Sequence, residues 1–362
     1  MPELAPVFDD AVTRVRPVDP HAATEAQAHQ DQLTKPPGAL GRLEAAGAQL
    51  AAIARSSPPP VPEPAVVAVF AGDHGVLSQG VSPWPAEVTA QMVANFCAGG
   101  AAVNVLAAHV GAEVVVVDVG VVADIADAPG LLNRKVRKGT ADLSTVAAMS
   151  VDDARRALDV GATVATDSVA NGARCLLTGD MGIGNTTPSA ALIATMTGQP
   201  ARAVTGRGTG IDDVRWETKV AVVERALARH AADPGGSGDP GDPLTVLASL
   251  GGLEIAALVG YLVAGAARGV PVVIDGVIAA SAAVVATALV PDVGGYLVAG
   301  HRSSEPGASV ALAHLGLQPL LDLELRLGEG TGACLALPIL QAAAKILREM
   351  ATFASAGVSD SK

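Results

Sequence analysis

After residue 60 the chain alternates short, nearly continuous apolar runs with longer stretches in which apolar and polar positions mix. Apolar runs rich in β-branched residues are typical of strands buried on both faces, and helix-length segments between them indicate right-handed strand–helix–strand units. The pattern predicts strands at 65–71, 113–119, 174–178, 270–274 and 296–299. It predicts helices near 86–98, 100–109, 151–170, 186–197, 212–231, 252–268, 277–289, 306–314 and 332–350. We therefore expect an α/β fold with a parallel sheet flanked by helices.

Three segments interrupt this pattern. The first sixty residues are more polar and are predicted to be helical, with a break at the Lys-Pro-Pro-Gly of 35–38. The Ser-Ser-Pro-Pro-Pro run at 56–60 indicates a stiff linker, because consecutive prolines hold an extended backbone. Residues 232–243 are too polar and too rich in glycine for regular structure, so we predict a loop there.

The composition provides for a large core and limits the choice of partner. Half of the 362 residues are hydrophobic and 17% are charged, which excludes a disordered chain. Lysine and arginine number 24 against 36 aspartate and glutamate residues, so the net charge is −12. This charge argues against non-specific nucleic-acid binding, and we predict no nucleic-acid partner. An anionic ligand must then be bound by local donors.

The cysteines and the apolar stretches bear on the compartment. Cys97, Cys175 and Cys334 are far apart and form no CxxC pair, which supports neither a zinc cage nor a disulfide framework and fits a reducing compartment. The first residues lack the charged-then-apolar order of a signal peptide. The apolar stretches 253–267 and 276–291 are shorter than the ~20 residues that a membrane span requires. We expect a cytoplasmic protein with no membrane partner.

Polar residues and glycines follow the predicted strands. In a parallel sheet the carboxyl ends of the strands meet at one edge, where ligands bind. Taken singly, each of these segments is an ordinary strand-to-helix turn. Taken together they predict a site. The segments are GDHG (72–75), GDMGIGNTTP (179–188), DG (275–276) and GHRSSEPG (300–307).

The segment 179–188 is the best candidate for binding an anion. Its glycines let backbone N–H groups approach a phosphate, and its last residues begin a helix whose N-terminus favours negative charge. The alternative is a tight turn that needs positive φ. The segment is not the GxxxxGK[ST] loop of ATP- and GTP-binding proteins. The glycine-rich segment 206–210 is a second candidate, and Lys219 after it either reaches a phosphate or is solvated.

Glu329 lies between glycines in GEGTGA (328–333). Glycines allow a ligand to approach closely, and a partly dehydrated carboxylate has a raised pKa that suits a general base. The alternative is a turn that begins a helix with Glu329 in water. His74, His301 and Glu305 are far apart in sequence and lack the HxxxH or HExxH spacing of metal ligands. We therefore predict no metal and no cofactor.

Ten motifs in order along the chain carry a resemblance to a known family. From about residue 33 to about residue 344 the chain resembles the nicotinate-nucleotide–dimethylbenzimidazole phosphoribosyltransferases, which activate the lower ligand of cobalamin. The motifs are LTKPPGALGRLE (33–44), AGDHGV (71–76), VTAQMVANF (88–96), VDVG (117–120), GDMGIGNTTPSAA (179–191), GRGTGIDD (206–213), LGGLEIAALVG (250–260), IDG (274–276), GHRSSEPG (300–307) and RLGEGTGA (326–333).

The resemblance implies a fold, an assembly and a reaction. It implies a Rossmann-like α/β domain at 61–318, a small, mostly helical domain built from 1–60 and 319–362, and a homodimer in which the partner's small domain closes each active site. The family moves the 5-phosphoribosyl group of nicotinate mononucleotide to 5,6-dimethylbenzimidazole. The products are α-ribazole 5′-phosphate, with inversion at C1′, and nicotinate.

The resemblance also implies which residues perform the reaction. By motif position Glu329 is the catalytic base. The residues placed on the substrates are Asp180, Gly182, Gly184, Asn185, Thr186, Lys219, Asp275, Ser303 and Ser304, with Ser82 and Gln91 on the acceptor base.

Two positions depart from the family's pattern. Asp180 stands where the family usually has glutamate, and Ala308 stands where its GHxSxEPGH motif ends in histidine. These differences bear on acceptor choice and efficiency more than on the class of reaction.

Two other functions stay open. A nicotinamide-dependent oxidoreductase is suggested by the glycine-rich segments 206–210 and 328–333, although no dinucleotide-binding fingerprint occurs early in the chain. A non-catalytic protein that binds a base or a riboside is the other, and the presence of Glu329 argues against it.

Overall fold

The described part of the chain, residues 6–208, 210–233 and 239–359 of a computed structural model, contains one sheet of six parallel strands. The strands are β1 (Ala65–Gly72), β2 (Ala112–Gly120), β3 (Leu131–Asn133), β4 (Cys175–Met181), β5 (Val272–Ile274) and β6 (Leu297–Ala299). Their order is β3-β2-β1-β4-β5-β6. The strand order reverses between β1 and β4, which is where a sheet of this kind leaves a crevice for a ligand. The predicted parallel α/β sheet is confirmed.

Helices connect the strands and cover both faces of the sheet. The α-helices are α1 (Val7–Arg14), α2 (Pro20–Gln30), α3 (Arg42–Ala54), α4 (Glu87–Cys97), α5 (Ala102–Val110), α6 (Val151–Ala170), α7 (Thr186–Thr197), α8 (Ala201–Val204), α9 (Asp213–Ala232), α10 (Pro243–Leu250), α11 (Leu253–Ala267), α12 (Val277–Leu289), α13 (Pro306–His314), α14 (Thr331–Glu349) and α15 (Phe353–Ala356). Short 3₁₀ helices lie at Gly75–Gln79 and Pro291–Tyr296.

The continuous apolar run of β1 is explained by burial on both faces. Alternate side chains of a strand point to opposite sides of the sheet. Val66, Ala68 and Phe70 therefore pack in one core with α6 and α11, whereas Val67 and Val69 pack in the other with α5 and α14. Every residue of β1 is buried, so no position can be polar without losing hydration.

Helices α6 and α11 lie in close contact against one face of the sheet. A side chain at Gly161 would overlap the backbone carbonyl of Ala257, and one at Gly260 would overlap that of Leu158. The two glycines thus let the helix backbones touch. Tyr261 of α11 packs edge-on against Phe70, with ring centroids 5.4 Å apart.

Most helix bounds follow the predictions closely, and the largest error concerns β4. The helices predicted at 151–170, 186–197, 277–289 and 306–314 have the observed bounds. The predicted strand 174–178 was too short, because β4 continues through Gly179, Asp180 and Met181. These residues stay paired with β1. The first part of the predicted 179–188 loop is therefore strand, and Asp180 lies in the sheet.

Four short elements were not predicted, namely β3, α8, α10 and α15. Strand β3 has only three residues, all partly exposed or exposed, so it carries no apolar run. The predicted loop at 232–243 begins with the last residue of α9 and ends with the first residue of α10. Its residues 234–238 lie outside the described part of the chain.

The two ends of the chain pack together. Helices α2 and α14 both pack on α3, and a bridge joins Leu33 to Thr352. Helix α1 packs instead on α6 and α11, where the backbone N–H of Phe8 donates a hydrogen bond to Asp159 (2.9 Å). Helix α14 also lies directly on β4 and β5. The predicted division into 61–318 and a domain from both ends stays a prediction.

Residues Glu87–Val110 are long and apolar enough to cross a membrane by length and composition alone. The structure divides this stretch into α4 and α5, which are separated by the residues 98–101. Helix α4 packs on β1, β2 and β4, and α5 packs on β2 and α14. Both helices therefore belong to the layer that packs against the sheet.

Candidate active site

A cavity of about 710 Å³ lies beyond the carboxyl ends of β4, β5 and β6. The loops after all three strands contribute to its wall, as expected for ligand binding in a parallel sheet. The structure brings nine of the predicted site residues together on this wall, namely Glu329, Asp180, Gly182, Gly184, Asn185, Thr186, Lys219, Ser303 and Ser82.

The other three predicted residues do not line the cavity. Ser304 is exposed beside it, and its hydroxyl lies 3.5 Å from the carbonyl oxygen of Glu324. Gln91 is on the exposed side of α4, whereas Val88 and Met92 of the same helix face the cavity. Asp275 is buried behind the wall, where its carboxylate accepts backbone hydrogen bonds from the start of α14.

One end of the cavity holds a buried cation. Lys219 is only 1% exposed, and its Nζ donates hydrogen bonds to Oγ1 of Thr186 (2.7 Å) and to the carbonyl oxygen of Gly206 (3.1 Å). Burial lowers the pKa of Lys219 to about 8, with the nearby Glu305 carboxylate acting in the opposite direction. Thr186 is the first residue of α7, so the ammonium lies at a helix N-terminus, where backbone N–H groups also favour an anion. The alternative that Lys219 is solvated is wrong.

The segment beside Lys219 is held by two residues that the sequence analysis did not assign to the substrate. Oε1 of buried Glu305 accepts a hydrogen bond from the Gly208 N–H (2.7 Å), and Nη1 of Arg326 donates to the Gly208 carbonyl (3.0 Å). Ser303 supports Glu305 by accepting its backbone N–H (3.3 Å). The sequence pointed to Glu305 only as a rejected metal ligand and as a member of the GHRSSEPG motif, and to Arg326 only as a member of the RLGEGTGA motif. Thr209 of the predicted 206–210 loop lies outside the described residues.

Asp180 is the second-last residue of β4 and lines the cavity. Its Oδ2 accepts a hydrogen bond from Nδ2 of Asn185 (2.9 Å), and its buried Oδ1 has no hydrogen-bond partner within the described chain. Burial raises the pKa of Asp180 well above its usual range, and the carboxylates of Asp275, Glu254 and Glu329 raise it further. An oxygen with an unused hydrogen-bonding position that faces a cavity is available to a ligand.

Glu329 is buried, not solvated at a helix start. It has φ +65°, a left-handed conformation that is rare for residues other than glycine, and its glycine neighbours are also left-handed. The side chain lines the cavity, and its buried Oε2 has no hydrogen-bond partner within the described residues. Burial raises the pKa of Glu329, as does the charge of Asp275, while a backbone hydrogen bond from Val103 acts in the opposite direction. This is the environment that a general base requires.

The rest of the wall is mainly apolar. The described residues of this part are Val81, Trp84, Val88, Met92, Met181, Ile183, Ile211, Val277, Ile278, Leu325 and Leu327. A flat aromatic ring needs such a slot. Ser82 lies within this region, and its hydroxyl accepts the backbone N–H of Trp84 (3.2 Å).

The histidines near the site have carboxylate neighbours. Nε2 of His74 lies 2.8 Å from Oε1 of Glu254, and both side chains are fully buried. Nε2 of His301 lies 3.5 Å from Oδ1 of Asp275. Within the described chain no three histidine, cysteine, aspartate or glutamate side chains cluster in the way that metal ligands do.

Known proteins with related sequences match the chain over nearly its whole length. A protein-family model described as phosphoribosyltransferase matches residues 15–358. The nicotinate-nucleotide–dimethylbenzimidazole phosphoribosyltransferase of Salinispora tropica is 54% identical and that of Geobacter sulfurreducens 49%, each aligned over 98% of this chain and 99% of its own. The crystal structure of CobT from Thermus thermophilus is 49% identical, has a TM-score of 0.89, and covers 94% of this chain and 99% of its own. The chain therefore belongs to the nicotinate-nucleotide–dimethylbenzimidazole phosphoribosyltransferase family.

Proposed function

We propose that the protein transfers the 5-phosphoribosyl group of nicotinate mononucleotide to 5,6-dimethylbenzimidazole in cobalamin biosynthesis. The observation that carries this proposal is that a buried lysine at a helix N-terminus and a buried, glycine-flanked glutamate line one cavity. The lysine is suited to bind a phosphate, and the glutamate is suited to act as the proton acceptor. The apolar wall between them suits a flat acceptor base.

The donor's phosphate is assigned to the Lys219 end of the cavity. The ammonium group, the hydroxyl of Thr186 and the backbone of Gly182 and Gly184 would surround it. A charge-assisted contact of this kind is about twice as strong as a neutral hydrogen bond. This end of the cavity would therefore hold the phosphate of the donor, and the C1′ atom of the donor would face the acceptor base.

The chemistry requires one proton acceptor and no proton donor. A benzimidazole nitrogen attacks C1′ and forms the new N–C bond, while the bond from C1′ to the pyridinium nitrogen breaks. The electron pair of that bond returns to nicotinate, which leaves as a neutral ring and needs no acid. The acceptor would become cationic unless its other N–H is removed, and Glu329 takes that proton. Attack from the face opposite to the leaving group gives inversion at C1′.

The two alternative functions have no support in the described structure or in the relatives. The last residue of β1 and the turn after it have the sequence Gly72-Asp73-His74-Gly75, which lacks the GxGxxG of a dinucleotide-binding fold. The glycine-rich turn at 328–330 precedes α14, the last long helix of the described chain, and not the first helix of the sheet. The relatives named above are transferases.

The assembly and the compartment belong to the same proposal. Exposed apolar side chains, including Trp84 and Leu327 at the cavity and Leu323 beside it, support a partner that covers the opening. We propose that this partner is a second copy of the chain and that the dimer acts in the cytoplasm. Light scattering on the purified protein distinguishes a dimer of about twice 35.9 kDa from a monomer.

Incubation with nicotinate mononucleotide and 5,6-dimethylbenzimidazole tests the reaction. Mass spectrometry should detect α-ribazole 5′-phosphate and nicotinate in equal amounts, and both should be absent when either substrate is left out. Failure to form product with this base and with a set of other benzimidazoles, purines and phenols would exclude the transferase assignment.

A further inference from the structure

Helix α14 begins without a local capping side chain. The residue before it is Gly330, which offers no side-chain acceptor, although the first N–H groups of any helix lack partners within the helix. Asp275, which directly follows β5, supplies the acceptors from a different part of the chain. Its Oδ1 accepts the N–H groups of Gly332 (2.7 Å) and Ala333 (3.0 Å), and its Oδ2 accepts the N–H of Gly330 (3.2 Å).

The same turn is pressed against the sheet. A side chain at Gly330 would crowd the carbonyl oxygen of Thr178 (3.0 Å), and one at Gly179 would crowd the carbonyl of Glu329. The hydroxyl of Thr178 accepts the backbone N–H of Asp275 (2.9 Å), which fixes Asp275 to β4. The left-handed conformation of Glu329 is strained for a residue with a Cβ atom, so surrounding contacts must hold it.

We propose that Asp275 is a positioning residue, which holds the 328–332 turn through its three backbone hydrogen bonds so that the Glu329 carboxylate faces the cavity. This inference rests on the proposed function, in which Glu329 removes the acceptor's proton. Asp275 does not bind the substrate, because its side chain is fully buried and its oxygens are already engaged.

Asp275 also affects the basicity of Glu329. Its negative charge raises the pKa of Glu329 beyond the effect of burial. Other ionisable groups lie near Asp275 and Glu329. Asp180 on β4 interacts with both carboxyls and also with Glu254 on α11. His301 after β6 and Cys334 on α14 face Asp275. Removing the charge of Asp275 should therefore lower the pKa of Glu329 and weaken it as a base.

The variant Asp275→Asn tests the proposal, since it keeps the shape and removes the charge. We expect kcat to fall by about tenfold to a hundredfold, the loss that a small displacement of a catalytic group causes. We expect the acid limb of the kcat–pH profile to move to lower pH and the donor KM to change less than about threefold. Asp275→Glu keeps the charge and should leave the limb close to its original pH, although it displaces the turn and lowers kcat.

Asp118→Asn is the matched control. Asp118 lies near the end of β2, is also fully buried, and also accepts a backbone N–H, that of Val121 (2.9 Å), but it does not line the cavity. The control should lose stability in thermal unfolding without moving the acid limb. A shift of similar size in both variants would show that general destabilisation causes it.

A second readout does not depend on turnover. In ¹³C-glutamate-labelled protein the carboxylate signal of Glu329, assigned by its absence from Glu329→Gln, should titrate at lower pH in Asp275→Asn than in the parent. An unchanged titration, or a raised donor KM with intact kcat, overturns the proposal. If the parent forms no product, the proposed function fails, and the titration still decides the effect of Asp275.

Discussion

The ammonium nitrogen of Lys219 lies 2.7 Å from the hydroxyl oxygen of Thr186, the residue that begins α7. A cation and a helix N-terminus thus act on the same small volume of the cavity. Both favour an anion, and the lysine is too deeply buried for water to solvate it fully. We expect donor binding to depend on this pair.

Removing the charge of Lys219 should weaken donor binding. We expect Lys219→Met, which keeps most of the apolar side chain, to raise the donor KM by a factor that corresponds to roughly 1.5–3 kcal/mol, the size of a charge-assisted contact. The parent should strongly prefer the nucleotide to the riboside that lacks phosphate, and the variant should lose most of this preference. Lys138→Met, at an exposed lysine, is the control. Equal use of nucleotide and riboside by the parent would show that no phosphate binds here.

Donor affinity should fall as the pH rises through the pKa of Lys219. Burial lowers this pKa to about 8, so the empty site holds an ammonium below that pH and a neutral amine above it. A phosphate stabilises the charged form, so the donor KM should rise above pH 8 while kcat stays level. Initial rates between about pH 6.5 and about pH 9.5, a range that brackets this pKa, measure the effect. The increase should be absent from Lys219→Arg, since arginine stays protonated, and a flat KM in the parent contradicts the assignment.

Asp180 should tolerate a neutral substitute better than truncation. Its raised pKa, caused by burial and then by the neighbouring carboxylates, favours the protonated form, and asparagine resembles that form in shape. Asp180→Asn should therefore keep much of the activity, and Asp180→Glu, the usual family residue, should be tolerated or should improve turnover. Asp180→Ala removes the partner of Asn185 and should lower kcat/KM. If Asp180→Ala equals the parent, this residue serves only as a paired position of β4.

The backbone at Glu329 should show the cost of its left-handed conformation. Glu329→Gly and Glu329→Ala both remove the carboxylate, but only glycine adopts φ +65° freely. We expect both variants to lose most of their activity and the glycine variant to be more stable by roughly 0.5–1 kcal/mol, because the relief of strain exceeds the added entropy of the unfolded chain. Denaturant unfolding measures the difference. Equal stability would indicate that the turn relaxes when the side chain is lost.

The helices were predictable because their signals are local. Ser150 precedes an amphipathic stretch, and its hydroxyl accepts the N–H of Asp153 (3.0 Å), as a capping pattern predicts. The end of β4 was not predictable in this way, because glycine and aspartate are unfavourable in strands. Their pairing with β1 and the close approach of the Glu329 turn to Gly179 come from tertiary structure.

In the candidate site too, what local motifs indicate was predictable and what tertiary packing decides was not. The motifs predicted that Lys219 and Glu329 belong to the site, and both line the cavity beyond the carboxyl ends of the strands. The orientation of Asp275 could not be predicted. A carboxylate after a strand gives the same sequence pattern whether it faces a ligand or the start of another helix. Only the packing of α14 against β5 decides between them.

The most direct test of the account is the kcat–pH profile of Glu329→Gln beside that of the parent, with nicotinate mononucleotide and 5,6-dimethylbenzimidazole saturating. The substitution keeps the size of the side chain and removes its basicity. We predict that kcat falls roughly 10²–10⁴-fold, the usual contribution of a general base. The acid limb of the parent, which reflects protonation of Glu329, should disappear, and the donor KM should change little. Near-parent turnover in Glu329→Gln, or an acid limb that persists in it, would contradict the assignment of Glu329 as the base.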